Sequence, residues 1–323
     1  MKEAMLIQLP CNETHLAWLR EAAVDRCRLL FPGEPGALAE ATCVFGEPTL
    51  EEIAAMPRLR WIQMSWAGAD RYTAAPDFPR NIQVCCATGA YGGVIAEYLF
   101  GAILALYRHL PTYVRQMDSG LWRPRFPGRG IEGKTVLILG AGDIGTAFAK
   151  RLRPFGARVL GVRRTAGACP PEYDEMHTLD HLPTLLPRAD IVSCSLPNTA
   201  ETRGLLDEAA LRSMKPDALL LNVGRGTLLN PDVLAKVLAS GHLSGAALDV
   251  CEPEPLPPGH PLWAMDNVLL TPHIAGIGFG NVPETADKIV RLCCRNLRRL
   301  LDGEPLESRV DFATGYRETP KKG

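Results

Sequence analysis

The chain has 323 residues, of which 46% are hydrophobic and 22% charged, and this length is typical of about two domains. The composition predicts a packed globular protein and excludes a disordered one. Subtracting 36 acidic from 35 basic residues leaves a net charge of −1, so electrostatics gives no reason to expect nucleic acid or an anionic membrane as a partner.

Ten cysteines are present, and none is spaced as a C-x-x-C pair, so no metal site is predicted. Most of them lie in apolar runs, which favours buried, reduced thiols in a cytoplasmic protein. The first ten residues are too briefly apolar for a signal peptide. The longest apolar run, 98–107, is too short to span a bilayer and predicts a buried helix instead.

Strand and helix patterns alternate from the N-terminus onward, which indicates a small α/β unit. The predicted elements are strands over 5–9, 59–64 and 81–86 and a helix over 50–56. A longer helix is predicted over 93–110, with Pro111 marking its end. The following segment, 123–134, is rich in Gly, Pro and Arg and is typical of a surface connection.

From residue 135 the alternation becomes regular. The predicted strands are 135–140, 158–162, 191–196, 218–223, 245–250 and 267–271, and the helices are 143–155, 231–240 and 284–303. Repeated β-α-β units predict a doubly wound parallel sheet with helices on both faces.

The stretch LILGAGDIG (137–145) carries three glycines in G-x-G-x-x-G spacing after a predicted strand and before a predicted helix. Gly140 permits a tight turn, Gly142 lets the backbone approach a pyrophosphate, and Gly145 allows the helix to pack closely on the strand. The first turn of the helix, with Asp143 and Ile144, would point its N–H groups at the phosphates. The pattern therefore predicts a dinucleotide site.

The next predicted strand ends in GVRRT (161–165), where NAD-binding domains usually place an acid for the ribose hydroxyls. Arg163 and Arg164 stand there instead, and arginine offers a planar fork of donors that suits a 2′-phosphate. Thr165 is a possible further donor. The sequence therefore predicts a preference for NADP, with NAD also possible.

Arg225, Glu254 and His273 each follow a predicted strand, and ligands bind outside the carboxyl ends of strands in an open parallel sheet. Arginine suits the carboxylate and carbonyl of a 2-oxo acid. Histidine titrates near neutrality and can donate a proton, and a neighbouring carboxylate would orient it and favour its protonated form. The three residues predict reduction of a 2-oxo acid.

Together, GAGDIG, NVGRG, DVCEPEPLPPGHPLW and TPHIAG resemble the D-isomer-specific 2-hydroxyacid dehydrogenase family over nearly the whole chain, and are similar to its glyoxylate/hydroxypyruvate reductases. The resemblance implies two doubly wound α/β domains: a Rossmann cofactor domain (99–284) inserted in a smaller flavodoxin-like substrate domain (1–98 and 285–323). It also implies a homodimer formed through the cofactor domain and a small 2-oxo or 2-hydroxy acid as substrate.

The resemblance also assigns roles to individual residues. Arg225 matches the substrate arginine, His273 the acid/base, and Glu254, rather than Glu252, the acid that pairs with it. The residues predicted to bind the cofactor are Gly140, Gly142, Asp143, Ile144, Gly145, Arg163, Arg164, Thr165, Leu196, Pro197, Val223 and Asp249. Those implied for the substrate are Trp66, Ala67, Gly68, Ala69, Tyr91 and Arg225, although Tyr91 could equally be a packing residue.

Two other functions stay open on the sequence. A phosphite-type dehydrogenase of the same fold shares the arginine, glutamate and histidine. A nucleotide-sensing scaffold, like the corepressors of this fold, can retain them as well, although such proteins usually carry long disordered flanks. Formate dehydrogenases resemble the family too, but they have glutamine in place of the acid, so Glu254 argues against that activity.

Overall fold

Two parallel sheets organise the chain, and each is the centre of its own unit. The computed structural model describes residues 2–318. The first unit comprises the chain up to Tyr91 together with the chain from Ile277 onward, and the second unit is Gly92–Gly276. The chain therefore leaves the first unit, forms the whole of the second, and returns.

The first unit is a doubly wound α/β fold. Its strands are β1 (Glu3–Ile7), β2 (Cys27–Leu30), β3 (Cys43–Phe45), β4 (Trp61–Gln63) and β5 (Gln83–Cys85). Its helices are α1 (Glu13–Ala23), α2 (Ala37–Glu40), α3 (Leu50–Ala54), α4 (Asp70–Thr73) and, after the second unit, α11 (Pro283–Asp302). The sheet is parallel in the order β2-β1-β3-β4-β5, which is the flavodoxin-like order. A short antiparallel ribbon, β13 (Val310–Asp311) with β14 (Tyr316–Arg317), follows.

The second unit has seven strands. They are β6 (Thr135–Leu139), β7 (Arg158–Val162), β8 (Glu175–His177), β9 (Ile191–Cys194), β10 (Leu219–Asn222), β11 (Gly245–Leu248) and β12 (Val268–Leu270). The helices are α5 (Gly92–Tyr107), α6 (Leu110–Asp118), α7 (Asp143–Leu152), α8 (Leu182–Leu185), α9 (Glu208–Ser213) and α10 (Pro231–Ala239). The sheet order β12-β11-β10-β9-β6-β7-β8 is the dinucleotide-binding order with one added strand, and the order reverses between β6 and β9, where ligands bind.

Burial of the strands explains why they read as continuous apolar runs. Every residue of β9, β10 and β11 is buried, as is all of β6 after Thr135. Parallel strands covered by helices on both faces need apolar side chains at consecutive positions. The predicted fold class, two doubly wound parallel-sheet units, is confirmed.

The boundaries between the units lie a few residues before the predicted breaks at 98/99 and 284/285. Helix α5 belongs wholly to the second unit because its first residue, Gly92, donates its N–H to the Asp143 carboxylate at 2.9 Å and the helix packs on α7. On return, Phe279 already packs edge-on against Phe45 of the first unit. Residues 319–323 of the predicted substrate domain lie outside the described part of the chain.

The predicted end of the long helix is wrong. Helix α5 ends at Tyr107, and His109 adopts a left-handed conformation with φ 57°. Pro111 then lies in the first turn of α6, where its missing N–H leaves no helical hydrogen bond unmade. Within residues 2–318 no single helix is long and apolar enough to cross a membrane. Helices α5 and α6 together have sufficient length and apolar composition, but the pair is bent by 65°.

Candidate active site

The glycine loop between β6 and α7 has the geometry that its sequence predicts. Gly140 has φ +106°, and its carbonyl oxygen accepts from Ser195 Oγ at 3.1 Å. A Cβ on Gly145 would overlap the Gly140 carbonyl oxygen, whereas a Cβ on Gly142 would meet nothing within 4 Å. Gly145 thus lets α7 pack against the loop, and Gly142 leaves open space in front of the helix. This arrangement fits the phosphates of a dinucleotide.

Asp143 and Ile144 form the first turn of α7, and both are half-buried. The Asp143 carboxylate is used inside the protein, since Oδ2 accepts from Gly92 N at 2.9 Å. A Cβ on Gly92 would lie only 2.7 Å from Asp143 Oδ1. The side chain of Asp143 therefore joins the starts of two helices, and its backbone remains the part that could meet a phosphate.

The two arginines after β7 differ in environment. Arg163 is half-buried, its Nη2 donates to Ala168 O at 2.9 Å, and its Nε is buried without a hydrogen-bond partner in residues 2–318. Arg164 and Thr165 are exposed. Arg163 therefore supports the turn that follows the strand, while Arg164 and Thr165 face outward at the strand end.

The loops after β9 and β10 contact each other closely. Leu196 is 9% exposed and Val223 is 7% exposed, and a Cβ on Gly224 would lie 2.6 Å from Leu196 O. Pro197 follows, and its carbonyl accepts from Thr202 Oγ1 at 2.6 Å. These two loops are adjacent to the sheet's reversal point, where the cofactor residues were predicted.

Arg225 follows β10 at the same edge of the sheet. Its Nη1 donates to Gly224 O at 2.8 Å. The buried amide of Asn222 fixes the turn that presents it, because Oδ1 accepts from Gly224 N at 3.1 Å and Nδ2 donates to Arg225 O at 3.0 Å. Asn222 escaped the sequence analysis, although a polar residue at the end of an apolar strand is a recognisable signal.

Glu254 and His273 are in contact. Glu254 Oε1 lies 2.8 Å from His273 Nδ1, and both side chains are half-exposed. The two residues follow β11 and β12, which with β10 are neighbours in the sheet, so Arg225, Glu254 and His273 leave the same edge. A carboxylate at Nδ1 fixes the ring and leaves Nε2 for a substrate.

Asp249 is buried, and its carboxylate binds the loop that contains His273. Oδ1 accepts from Thr271 Oγ1 at 2.6 Å and from Ile274 N at 2.8 Å, and Oδ2 accepts from Ala275 N at 2.9 Å. A carboxylate oxygen can accept two hydrogen bonds, so Oδ2 retains capacity for one further donor. That capacity fits the prediction that Asp249 binds the cofactor.

Apart from Arg225, the predicted substrate residues belong to the first unit, and four of them follow β4. Trp66 and Ala67 are exposed, Gly68 is half-buried and Ala69 is buried. The Tyr91 hydroxyl donates to Ser65 O at 2.7 Å, and the side chain is 7% exposed. Tyr91 therefore supports this loop through its hydrogen bond to Ser65 O.

Glu47, in the segment after β3, binds this loop and was not revealed by the sequence. Its Oε1 accepts from Ser65 N at 2.6 Å and from Ser65 Oγ at 2.9 Å. Burial raises the pKa of the Glu47 carboxyl, while the hydrogen bonds from Ser65 lower it. Glu47 and Tyr91 together fix the backbone just before the predicted substrate loop.

Residues 100–275 match the model of the D-isomer specific 2-hydroxyacid dehydrogenase NAD binding domain, which is more than half of the chain. The chain belongs to this dehydrogenase family. The glyoxylate reductase of Thermofilum pendens is 38% identical over 262 residues, which are 79% of this chain and 75% of that protein. The glyoxylate reductase/hydroxypyruvate reductase of Mus musculus is 34% identical over 266 residues, 80% of this chain and 78% of that protein.

A crystal structure shows the same relation over the full length. The D-isomer specific 2-hydroxyacid dehydrogenase of Xanthobacter autotrophicus Py2, in complex with NADPH and MES, is 32% identical with a TM-score of 0.81, covering 98% of this chain and 100% of that one. The 2-hydroxyacid dehydrogenase described here is thus an NAD(P)-dependent oxidoreductase acting on 2-oxo and 2-hydroxy acids. The predicted family and enzyme class are confirmed.

Proposed function

We propose that this dehydrogenase reduces short 2-oxo acids of the glyoxylate and hydroxypyruvate type to D-2-hydroxy acids, with NADPH preferred to NADH. The observation that carries the proposal is the 2.8 Å contact between His273 Nδ1 and Glu254 Oε1, at the sheet edge that also presents Arg225. A cation for the carboxylate and an oriented proton donor are what reduction of a 2-oxo acid requires.

Each residue has a distinct task in this reaction. A bound nicotinamide cofactor supplies the hydride that the carbonyl carbon accepts. Arg225 binds the substrate carboxylate and polarises the carbonyl. His273 donates the proton from Nε2 to the carbonyl oxygen, which completes the hydroxyl group, and Glu254 stabilises the protonated ring before that transfer.

Further residues are proposed to bind the substrate or the cofactor. The backbone of Trp66, Ala67, Gly68 and Ala69 binds the substrate carboxylate, with Tyr91 supporting the loop. The Oδ2 atom of Asp249 accepts from the nicotinamide carboxamide. The remaining cofactor contacts come from the glycine loop and first turn of α7, together with Leu196, Pro197 and Val223.

The NADPH preference rests on the end of β7. Arg164 and Thr165 are exposed there, and no acid stands in GVRRT to repel a 2′-phosphate. Arg163 contributes by supporting the turn through Ala168 O. Replacing Arg164 with Ala should raise the KM for NADPH about tenfold or more and leave the KM for NADH unchanged. An equal change in the KM for both cofactors would contradict the proposed 2′-phosphate contact.

The deciding experiment measures initial rates with NADPH and NADH against glyoxylate, hydroxypyruvate, pyruvate and a bulkier 2-oxo acid. The reverse direction is tested with phosphite and NAD(P)+. His273→Ala should lower kcat by about 10²- to 10⁴-fold. His181→Ala is the matched control, because both imidazoles have side chains that are 51% exposed.

The outcomes separate the alternatives. Turnover of a 2-oxo acid that His273→Ala abolishes supports the proposal. Oxidation of phosphite without 2-oxo acid turnover would replace it with the phosphite-type activity. Cofactor binding without any turnover would favour a nucleotide-sensing scaffold.

We further propose a homodimer formed through the second unit and a cytoplasmic location. A group of apolar side chains on α6 and the segment after it supports the dimer: Val114, Met117 and Trp122 are 61%, 78% and 99% exposed. Apolar surface of this kind marks interaction sites. All ten cysteines are free thiols, which fits a reducing compartment.

A further inference from the structure

A chain of hydroxyl groups connects helix α5 to the loop that carries His273. The Tyr98 hydroxyl lies 2.6 Å from Thr271 Oγ1, and Thr271 Oγ1 lies 2.6 Å from Asp249 Oδ1. An ionised carboxylate only accepts hydrogen bonds, so the Thr271 hydroxyl donates to Asp249. Thr271 has one proton to give, and Tyr98 is therefore the donor to Thr271.

Asp249 connects this chain of hydroxyl groups to the backbone around His273. It accepts from the amides of Ile274 and Ala275, just after the histidine, and its backbone carbonyl accepts from His273 N at 2.9 Å. His273 adopts φ 55°, a left-handed conformation that a non-glycine residue keeps only when its surroundings impose it. The contacts to Asp249 on both sides of the histidine provide that constraint.

Tyr98 is suited to a fixed donor role. Its side chain is half-buried on α5, and burial raises the pKa of Tyr98 to about 12, with the nearby Asp249 charge adding to the increase and the Thr271 contact opposing it. The hydroxyl therefore keeps its proton across the physiological pH range. A rigid helix is a more exact support for a site than a loop.

We propose that Tyr98 is a positioning residue for His273, acting through Thr271 and Asp249 on the 271–275 loop. The inference rests on the proposed role of His273 as acid/base. Without the Tyr98 donor the Thr271 hydroxyl keeps only its hydrogen bond to Asp249, so the loop loses its hydrogen bond to α5 and with it one of the contacts that set the ring. Small displacements of a proton donor lower the rate of transfer without weakening binding of substrate.

The test compares four single variants by steady-state kinetics with the 2-oxo acid that is turned over fastest. Tyr98→Phe removes the donor and keeps the ring, and Thr271→Val removes the hydroxyl and keeps the shape. Thr271→Ser retains a hydroxyl and should rescue activity. Tyr107→Phe is the matched control, because it removes another buried hydroxyl at the other end of α5, one whose pKa burial also raises to about 12.

We expect Tyr98→Phe and Thr271→Val each to lower kcat about tenfold, with KM for substrate and cofactor within about twofold of wild type. The double variant should be little worse than either single one, because the two residues act as one unit. Thr271→Ser and Tyr107→Phe should stay near wild type.

A second measurement, which does not depend on turnover, reports on the same loop. Hydrogen exchange at the amides of Ile274 and Ala275, which donate to Asp249, should accelerate in Tyr98→Phe and not in Tyr107→Phe. Equal kcat and equal exchange in these two variants would overturn the proposal, and so would a raised KM at unchanged kcat. If His273→Ala keeps full activity, the proposed function fails instead, so the two failures are distinguishable.

Discussion

Two glutamates of the segment after β11 are only two positions apart, yet their surroundings differ. Both side chains are exposed, but only Glu254 is placed against the histidine, with Oε1 2.8 Å from His273 Nδ1. Sequence alone offers no physical reason to prefer one of them. Glu254 was assigned because its place in the motif matches that of the family's acid. The structure gives the reason, since the turn after β11 brings Glu254 to the ring.

Glu254→Gln is expected to lower kcat for 2-oxo acid reduction. Glutamine retains the size of the side chain but removes the negative charge beside His273 Nδ1. Steady-state rates with the same 2-oxo acid check this, with Glu252→Gln as the control. Equal kcat values for the two variants would contradict the assigned role.

Glu175 illustrates a residue whose charge matters for stability rather than function. It accepts from Arg188, from Arg158 at 2.6 Å, and from His177 at 2.8 Å. The Arg188 hydrogen bond, followed by the His177 contact, lowers the pKa of Glu175 from 4.5 to about 2. The ionised form is favoured in the folded state, so its contribution is complete above about pH 4.5 and disappears as the pH falls through 2.

Glu175→Gln should therefore reduce the free energy of unfolding by about 1 kcal/mol at pH 7, a modest value because the groups are partly solvated. The difference from wild type should shrink as the pH falls from 4.5 toward 2. Urea unfolding across this range measures it. A difference that is constant with pH would show that the carboxylate charge is not the cause.

The β6–α7 element shows how local sequence and packing act together. Three glycines predicted the loop and a separate task for each, and the structure adds the space around them. Gly145 meets backbone on its free side, whereas Gly142 faces open space. Gly145 is thus required for packing of the fold, and Gly142 leaves space for a ligand in front of the loop.

Gly142→Ala should leave the melting temperature unchanged and weaken NADPH binding by about tenfold or more, because the methyl group stands where a pyrophosphate would approach. Gly145→Ala should lower stability as well, since its Cβ would overlap the Gly140 carbonyl oxygen. Calorimetry and cofactor titration separate the two effects. Gly101→Ala, on α5 with no atom within 4 Å of its added Cβ, is the control for cofactor binding.

At the scale of the whole molecule, the chain shows an apolar surface on α6 and the segment 121–126. Met117 and Trp122 are 78% and 99% exposed, and Phe126 is 83% exposed. The sequence analysis placed only a polar surface connection here, because Gly, Pro and Arg dominate the composition of 123–134. Exposed aromatic residues in such a connection support the proposed dimer.

Met117→Lys combined with Trp122→Ser is expected to convert the proposed dimer to a monomer, because a charge and a polar group would be buried at the interface. Light scattering coupled to gel filtration measures the mass. Val24→Ser, which changes an exposed apolar residue of the first unit, should have no effect. A wild-type monomer would refute the dimer itself.

The sequence by itself determined the parallel α/β class, the dinucleotide loop and the polar residues at the strand ends. These features depend on local patterns: continuous apolar runs, glycine spacing and polar residues that follow strands. Strand β3 (Cys43–Phe45) was not predicted. Likewise His109 gave no local signal that α5 ends before Pro111.

Only the tertiary structure decided which side chains meet. Asn222, Tyr98 and Glu47 each bind the backbone or a side chain of a loop that the sequence had marked. Asn222 begins the NVGRG motif, but the motif does not reveal that its amide fixes the turn. Tyr98 and Glu47 lie outside every quoted motif. Tyr98 is distant in sequence from Thr271 and reaches it because α5 packs across β10, β11 and β12. Hydrogen bonds between such residues depend on how helices lie on the sheet, and packing rather than local pattern sets that arrangement.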